Sequence, residues 1–198
     1  MIARLSKRMA SFFVRNEVIK SEDEEVYEYG LQLLLSTVFN GIIALVLAVI
    51  SGTVWQCVCY LAFFILIRKS AGGFHAKTPM LCTIISAIIL YVNVLLIRRF
   101  SENFSCGLFL ITIISVVLVL FFAPISSRNK KLDKKEKTVY HTMTMVVLSF
   151  EFLAELIFLK FNYVRIATIF QFVFITVFLM LILGKIDLLI EKFRNKTR

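Results

Sequence analysis

The chain has 198 residues, 59% apolar and 18% charged, with a formal net charge of +10. A water-soluble domain is about 45–50% apolar and about 25% charged, so an ordinary soluble fold is excluded, and seven Gly and two Pro exclude a linker-like or collagen-like chain. A basic balance first suggests nucleic acid, but 20 Phe and long uncharged runs make lipid the solvent, and an anionic inner leaflet, not nucleic acid, is the expected partner of the charge.

In chain order, residues 1–20 are basic throughout, with no uninterrupted apolar core and no cleavage site, so no signal peptide is expected. Ile2, Leu5, Met9, Phe12, Phe13 and Ile19 recur at helical spacing, opposite Arg4, Lys7, Arg8 and Arg15. That pattern predicts an amphipathic helix lying either on the inner leaflet or against the protein's own base. Ser21 followed by Glu24 reads as a capping box opening the next helix. Residues 21–198 read as a single transmembrane domain.

A span needs about 20 mostly apolar residues. Six runs are candidates: residues 31–50, 54–67, 79–97, 107–125, 139–159 and 163–183. Barrel strands would be about 10 residues of alternating polarity, so the expected fold is an all-α integral membrane protein with six transmembrane helices. The run 54–67 is short and must tilt or extend into its polar flank. With six spans both termini share a side, and that side holds 19 of the 23 Lys and Arg. Basic residues stay inside, so both termini are expected in the cytoplasm; dropping 54–67 breaks the alternation.

Among the four Cys, Cys57 and Cys59 point about 200° apart on a helix and read as small apolar residues, as does Cys106. Cys82 has a different neighbourhood. It follows Arg68-Lys-Ser-Ala-Gly-Gly73-Phe-His75-Ala-Lys77-Thr-Pro79, and His75 is one of only two His in the chain. Gly72-Gly73 permits positive φ, so the segment can fold back. Thr78-Pro79 is a helix start, which puts Cys82 at the end of a first turn, where free amides and the macrodipole favour a thiolate. A base, a thiol and the nearby Arg68, Lys69 and Lys77 make a nucleophile possible; the alternative is that Cys82 packs and His75 is an interfacial polar residue. No metal site is expected, because no third ligand or carboxylate lies in reach.

Arg68, Gly72-Gly73, Phe74, His75-Ala76 and Cys82, in this order, resemble the signature of the accessory gene regulator B family, membrane peptidases of Gram-positive bacteria that mature cyclic peptide pheromones. Ala123-Pro124 and Asn129-Lys130-Lys131 resemble a second family stretch, with Lys131 in place of a Pro. The resemblance implies a cysteine endopeptidase without cofactor in the Gram-positive plasma membrane. His75 would activate Cys82, which would cut a quorum-sensing pheromone precursor and release its acidic tail; the resulting thioester would then cyclise to a thiolactone or lactone. Arg68 would hold the loop, or face the oxyanion or substrate carboxylates, and Gly73 would permit the turn. Lys130 and Lys131, in the basic stretch 128–137, would receive the acidic tail, although the positive-inside rule alone accounts for such charge. A homodimer is also implied.

Glu151 and Glu155 share a face inside the fifth run. Intramembrane acids are functional candidates. They either pair with Lys160, Arg165 or a base on another helix, the favoured reading, or mark a polar cavity. They also carry the alternative function, a small non-enzymatic transporter or scaffold.

Overall fold

The computed structural model describes residues 2–73, 79–125 and 133–196. Within them the chain is helical: α1 (Ile2–Arg15), a 3₁₀ turn (Ser21–Asp23), α2 (Glu24–Ile50), α3 (Val54–Ala71), α4 (Pro79–Phe100), α5 (Cys106–Phe122), α6 (Lys134–Lys160) and α7 (Val164–Lys196). Among the described residues there is no strand, and every predicted run is matched by one of α2 to α7. Among the described residues four helical segments, Ser21–Ile50, Val54–Ala71, Lys134–Lys160 and Val164–Ile190, are long and apolar enough to cross a membrane, and α5 is a shorter apolar helix. The run 54–67 extends into its polar flank as expected: α3 continues through Arg68 to Ala71, and its 18 residues reach about 27 Å.

The chain forms two compact units. The first gathers α1, α2 and the N-terminal part of α4. In it α1 packs on α2, and the residues α1 buries are Ser6 and Ala10, one turn apart, whose small side chains allow close approach. Leu5 and Phe12 stay exposed, so α1 is docked on the protein and still offers apolar side chains to its surroundings. The capping box predicted at Ser21 does not form. Ser21–Asp23 is a 3₁₀ turn, and Asp23 precedes α2 without a side-chain cap. The Glu24 carboxylate instead accepts from Ser11 Oγ of α1 at 2.6 Å, because the returning helix brings a hydroxyl within its reach.

The second unit gathers α3, the rest of α4, α5, α6 and α7. Its centre is α7, against which α3, α5 and α6 pack. A helix apolar on all sides is stable only when surrounded, and the stretch Ala167–Phe174 of α7 is buried throughout. Phe170 sits among Phe63 of α3, Phe158 of α6 and Phe174. Four buried hydroxyls are satisfied within their own helices: Thr112, Ser115, Thr144 and Thr168 donate to the carbonyl four residues back. Thr176 of α7 is also 3.0 Å from Asn93 Oδ1 of α4.

Candidate active site

The signature segment begins where α3 ends. Gly72 and Gly73 have φ of +69° and +118°, conformations that side chains rarely adopt. The positive φ expected of this pair is therefore present, and both glycines are also required by their surroundings. A Cβ on Gly72 would fall onto the Ile125 carbonyl oxygen. A Cβ on Gly73 would lie 2.9 Å from Arg68 Nη1 and 3.1 Å from the Met180 carbonyl oxygen of α7. Arg68 is thus brought beside Gly73, where its guanidinium borders the turn.

α4 spans Pro79–Phe100, which makes Cys82 its fourth residue, and the expected cap Thr78 lies outside the described residues. The Cys82 side chain and His75, Lys77, Lys130 and Lys131 lie outside the described residues. At the end of the basic stretch, the Asp133 N–H donates to Glu136 Oε2 at 3.2 Å, which ties these two acids to the start of α6. Cys57 is buried on α3, Cys59 is half-buried, and Cys106 is exposed at the start of α5. Among the described residues no group of three or more His, Cys, Asp or Glu could hold a metal ion.

The Ala123-Pro124 stretch meets the glycine turn. Ile125 N–H donates to the Ala71 carbonyl at 3.1 Å, and Gly72 and Ile125 form a bridge. Two residues that the sequence reading missed hold this stretch. His141 Nδ1 of α6 lies 2.8 Å from the Ala123 carbonyl oxygen, and Lys185 Nζ of α7 lies 4.1 Å from the centre of the Phe122 ring. The only sequence signal for His141 was its rarity as the second His of the chain. An open groove runs between α3 and α6, with Leu66, Lys69, Val139, Met143 and Val146 on its walls.

Glu151 and Glu155 are buried on the inner face of α6, 1% and 0% exposed. Their expected pairing with Lys160 or Arg165 does not form, since both bases are exposed. Glu155 Oε1 instead accepts from Gln171 Nε2 of α7 at 2.9 Å. A neutral amide meets a buried carboxyl without desolvating a second charge. Among the described residues neither oxygen of Glu151 has a hydrogen-bond partner. Gln171→Leu is expected to destabilise the protein by about 1 kcal/mol, and adding Glu155→Leu to recover most of the loss, because an orphaned buried polar group costs more than an apolar pair. Unfolding midpoints in detergent check this; a double variant no more stable than Gln171→Leu would contradict it.

The sequence profile of the Accessory gene regulator B family matches residues 6–184. The chain belongs to that family. An AgrB-like protein of Clostridium perfringens (strain 13 / Type A) is 29% identical over 145 residues, 69% of this chain and 68% of that one. Accessory gene regulator protein B of Staphylococcus haemolyticus is 27% identical over 127 residues, 61% and 67% of the two chains. Protein FsrB of Enterococcus faecalis is 32% identical over 95 residues, 48% of this chain and 39% of that protein. No solved structure matches. Membership places the chain among the membrane proteins of accessory gene regulator quorum-sensing systems in Gram-positive bacteria. The matched region contains the glycine turn, Cys82 and the Ala123-Pro124 stretch.

Proposed function

We propose that this AgrB-family chain is a membrane cysteine endopeptidase that cuts a pheromone precursor peptide and cyclises the product. The observation that carries the reading is the position of Cys82 in the first turn of α4, seven residues after His75 and beyond a glycine turn bordered by Arg68. His75 takes the Cys82 thiol proton. The sulfur attacks a backbone carbonyl of the precursor, the C–N bond breaks, and His75 returns the proton to the departing amine of the acidic tail. The thioester is then attacked by a nucleophile within the bound peptide, which closes the ring and releases Cys82. Ring closure needs the internal nucleophile held near attack and water kept out.

In this reading residues 21–198 form one peptidase domain that crosses the membrane six times. Both termini and the site face the cytoplasm, where thiols stay reduced. Lys130 and Lys131 attract the acidic tail, the groove between α3 and α6 suits an amphipathic peptide leader, and α1 rests on anionic lipid, with the protein acting as a homodimer. A tag at residues 51–53 is expected to be labelled from outside the cell by an impermeant reagent; labelling only after permeabilisation would remove the six-span arrangement. The activity is tested by single-turnover reaction of the purified protein with its precursor peptide, trapping a peptide–Cys82 adduct for mass spectrometry. Tail release without that adduct would exclude a thioester mechanism. The buried Glu151, with both oxygens unpartnered among the described residues, is what favours the second reading, a transporter or scaffold. That reading requires Glu151→Gln and Glu155→Gln to abolish function while Cys82→Ala does not.

A further inference from the structure

We propose that the C-terminal half of α7 is a pairing helix: Leu179, Leu183, Ile186, Ile190 and Phe193 form a seam that a second copy of this chain covers with the same seam, in a parallel coiled coil. The inference gives the homodimer of the reading above its surface, and it rests on that part of the reading alone.

α7 has 33 residues and is about 50 Å long, about 20 Å more than the hydrocarbon core of a bilayer. The excess lies at its C-terminal end. Gly73, just past the end of α3, lies against the Met180 carbonyl, and Lys185 Nζ sits over the ring of Phe122, the last residue of α5. α3 and α5 therefore stop where α7 runs on to Lys196. In lipid an apolar side chain needs no cover. Beyond the hydrocarbon it does, and there Ile186, Ile190 and Phe193 are 46%, 59% and 70% exposed.

The spacing of the exposed residues identifies what covers them. From Leu179 to Phe193 the steps are four, three, four and three residues. That alternation keeps a stripe on one side of a helix that supercoils with a partner. All five side chains are exposed, while Val177, Leu181 and Gly184 on the opposite side of α7 are buried against its own unit. The next positions up the same stripe, Thr176 and Phe172, are buried, so the seam opens where the enclosure of α7 ends. A helix that continues unbroken from a span stands off the bilayer, so its stripe lies beyond the acyl chains. An identical helix fits it best, because each knob then meets a hole in the same register. Two copies inserted in one membrane with one orientation are already parallel. In that pairing Asp187 and Arg194 of one copy face Ile182 and Leu189 of the other, so no like charges oppose each other.

The test uses the full-length protein in mild detergent, with its mass read by size-exclusion chromatography and light scattering. The parent is expected to be a dimer. Ile190→Glu, which places an acid at the centre of the seam, is expected to halve that mass. Val18→Glu makes the same change at an exposed residue outside α7 and is expected to leave the dimer intact. In a background with all four native Cys replaced by Ala, Ile186→Cys, Ile190→Cys and Phe193→Cys are expected to cross-link between copies on mild oxidation at least about tenfold faster than Lys185→Cys and Leu188→Cys. A dimer that survives Ile190→Glu, or cross-linking without that periodicity, overturns the α7 seam and leaves the homodimer to another surface. A parent that stays monomeric at every concentration overturns the seam and the homodimer together. Should Ile190→Glu not elute as a single species, the cross-linking series decides. If the parent is monomeric and Ile190→Cys is shielded from a water-soluble maleimide only in lipid vesicles, the membrane covers the stripe and the proposal fails.

Discussion

Cys82→Ala is expected to abolish release of the acidic tail, lowering the single-turnover rate by at least about a thousandfold, because no other group takes the place of the nucleophile. His75→Ala is expected to lower it by about a hundredfold to ten-thousandfold, the usual contribution of a positioned acid–base group. The two losses should not multiply. Once the sulfur is gone the imidazole has no proton to take, so the double variant should match Cys82→Ala alone. Residues that act as one unit behave this way, and independent contributors do not. Mass spectrometry of the precursor after reaction reads all three variants. Normal tail release by Cys82→Ala would refute the peptidase reading outright, and losses confined to Glu151→Gln and Glu155→Gln would move the function to the buried acids of α6.

The second large effect is at Gly72. Its φ of +69° and ψ of −149° lie in a region almost confined to glycine, and a residue held there costs about 1–3 kcal/mol. The added methyl group must also displace the Ile125 carbonyl, a backbone atom that cannot rotate away, and overpacking costs about 1–3 kcal/mol more. Gly72→Ala is therefore expected to lower the unfolding midpoint clearly and to reduce kcat/KM for the precursor by about a hundredfold. Gly30→Ala on α2 is the matched comparison. Nothing lies within 4 Å of the added Cβ there, and alanine in a helix is favoured by about 0.5–1 kcal/mol. A Gly72→Ala protein as stable and active as Gly30→Ala would mean that the bridge to Ile125 does not govern the turn.

Much of the fold was legible in the residues because its determinants are local. Run length and the scarcity of charge mark each of α2 to α7. Pro79 suits the first position of α4, since its missing N–H is an orphan at a helix start in any case. The glycine pair announces positive φ wherever the chain then goes. The α3 run looked too short, yet Arg68 and Lys69 are good helix formers whose long side chains tolerate a helix end, and they carry α3 on to Ala71.

Local logic failed where a distant partner outcompeted a near one. Glu24 is three residues from Ser21 but bonds Ser11, and Glu155 is five residues from Lys160 but bonds Gln171. In both cases helix packing delivers the partner, which no spacing rule along one helix contains.

From the sequence by itself came the helices, their apolar character, the glycine turn and the placement of Cys82 in the first turn of α4, since each depends on a few neighbouring residues and on lipid as solvent. Only the tertiary structure decided why Gly72 and Gly73 have no room for a side chain, what borders Arg68, and that His141 holds the Ala123 carbonyl. Those contacts join α3, α5, α6 and α7 across many intervening residues, and they exist only after the helices have packed and their unpaired end carbonyls have found donors on one another.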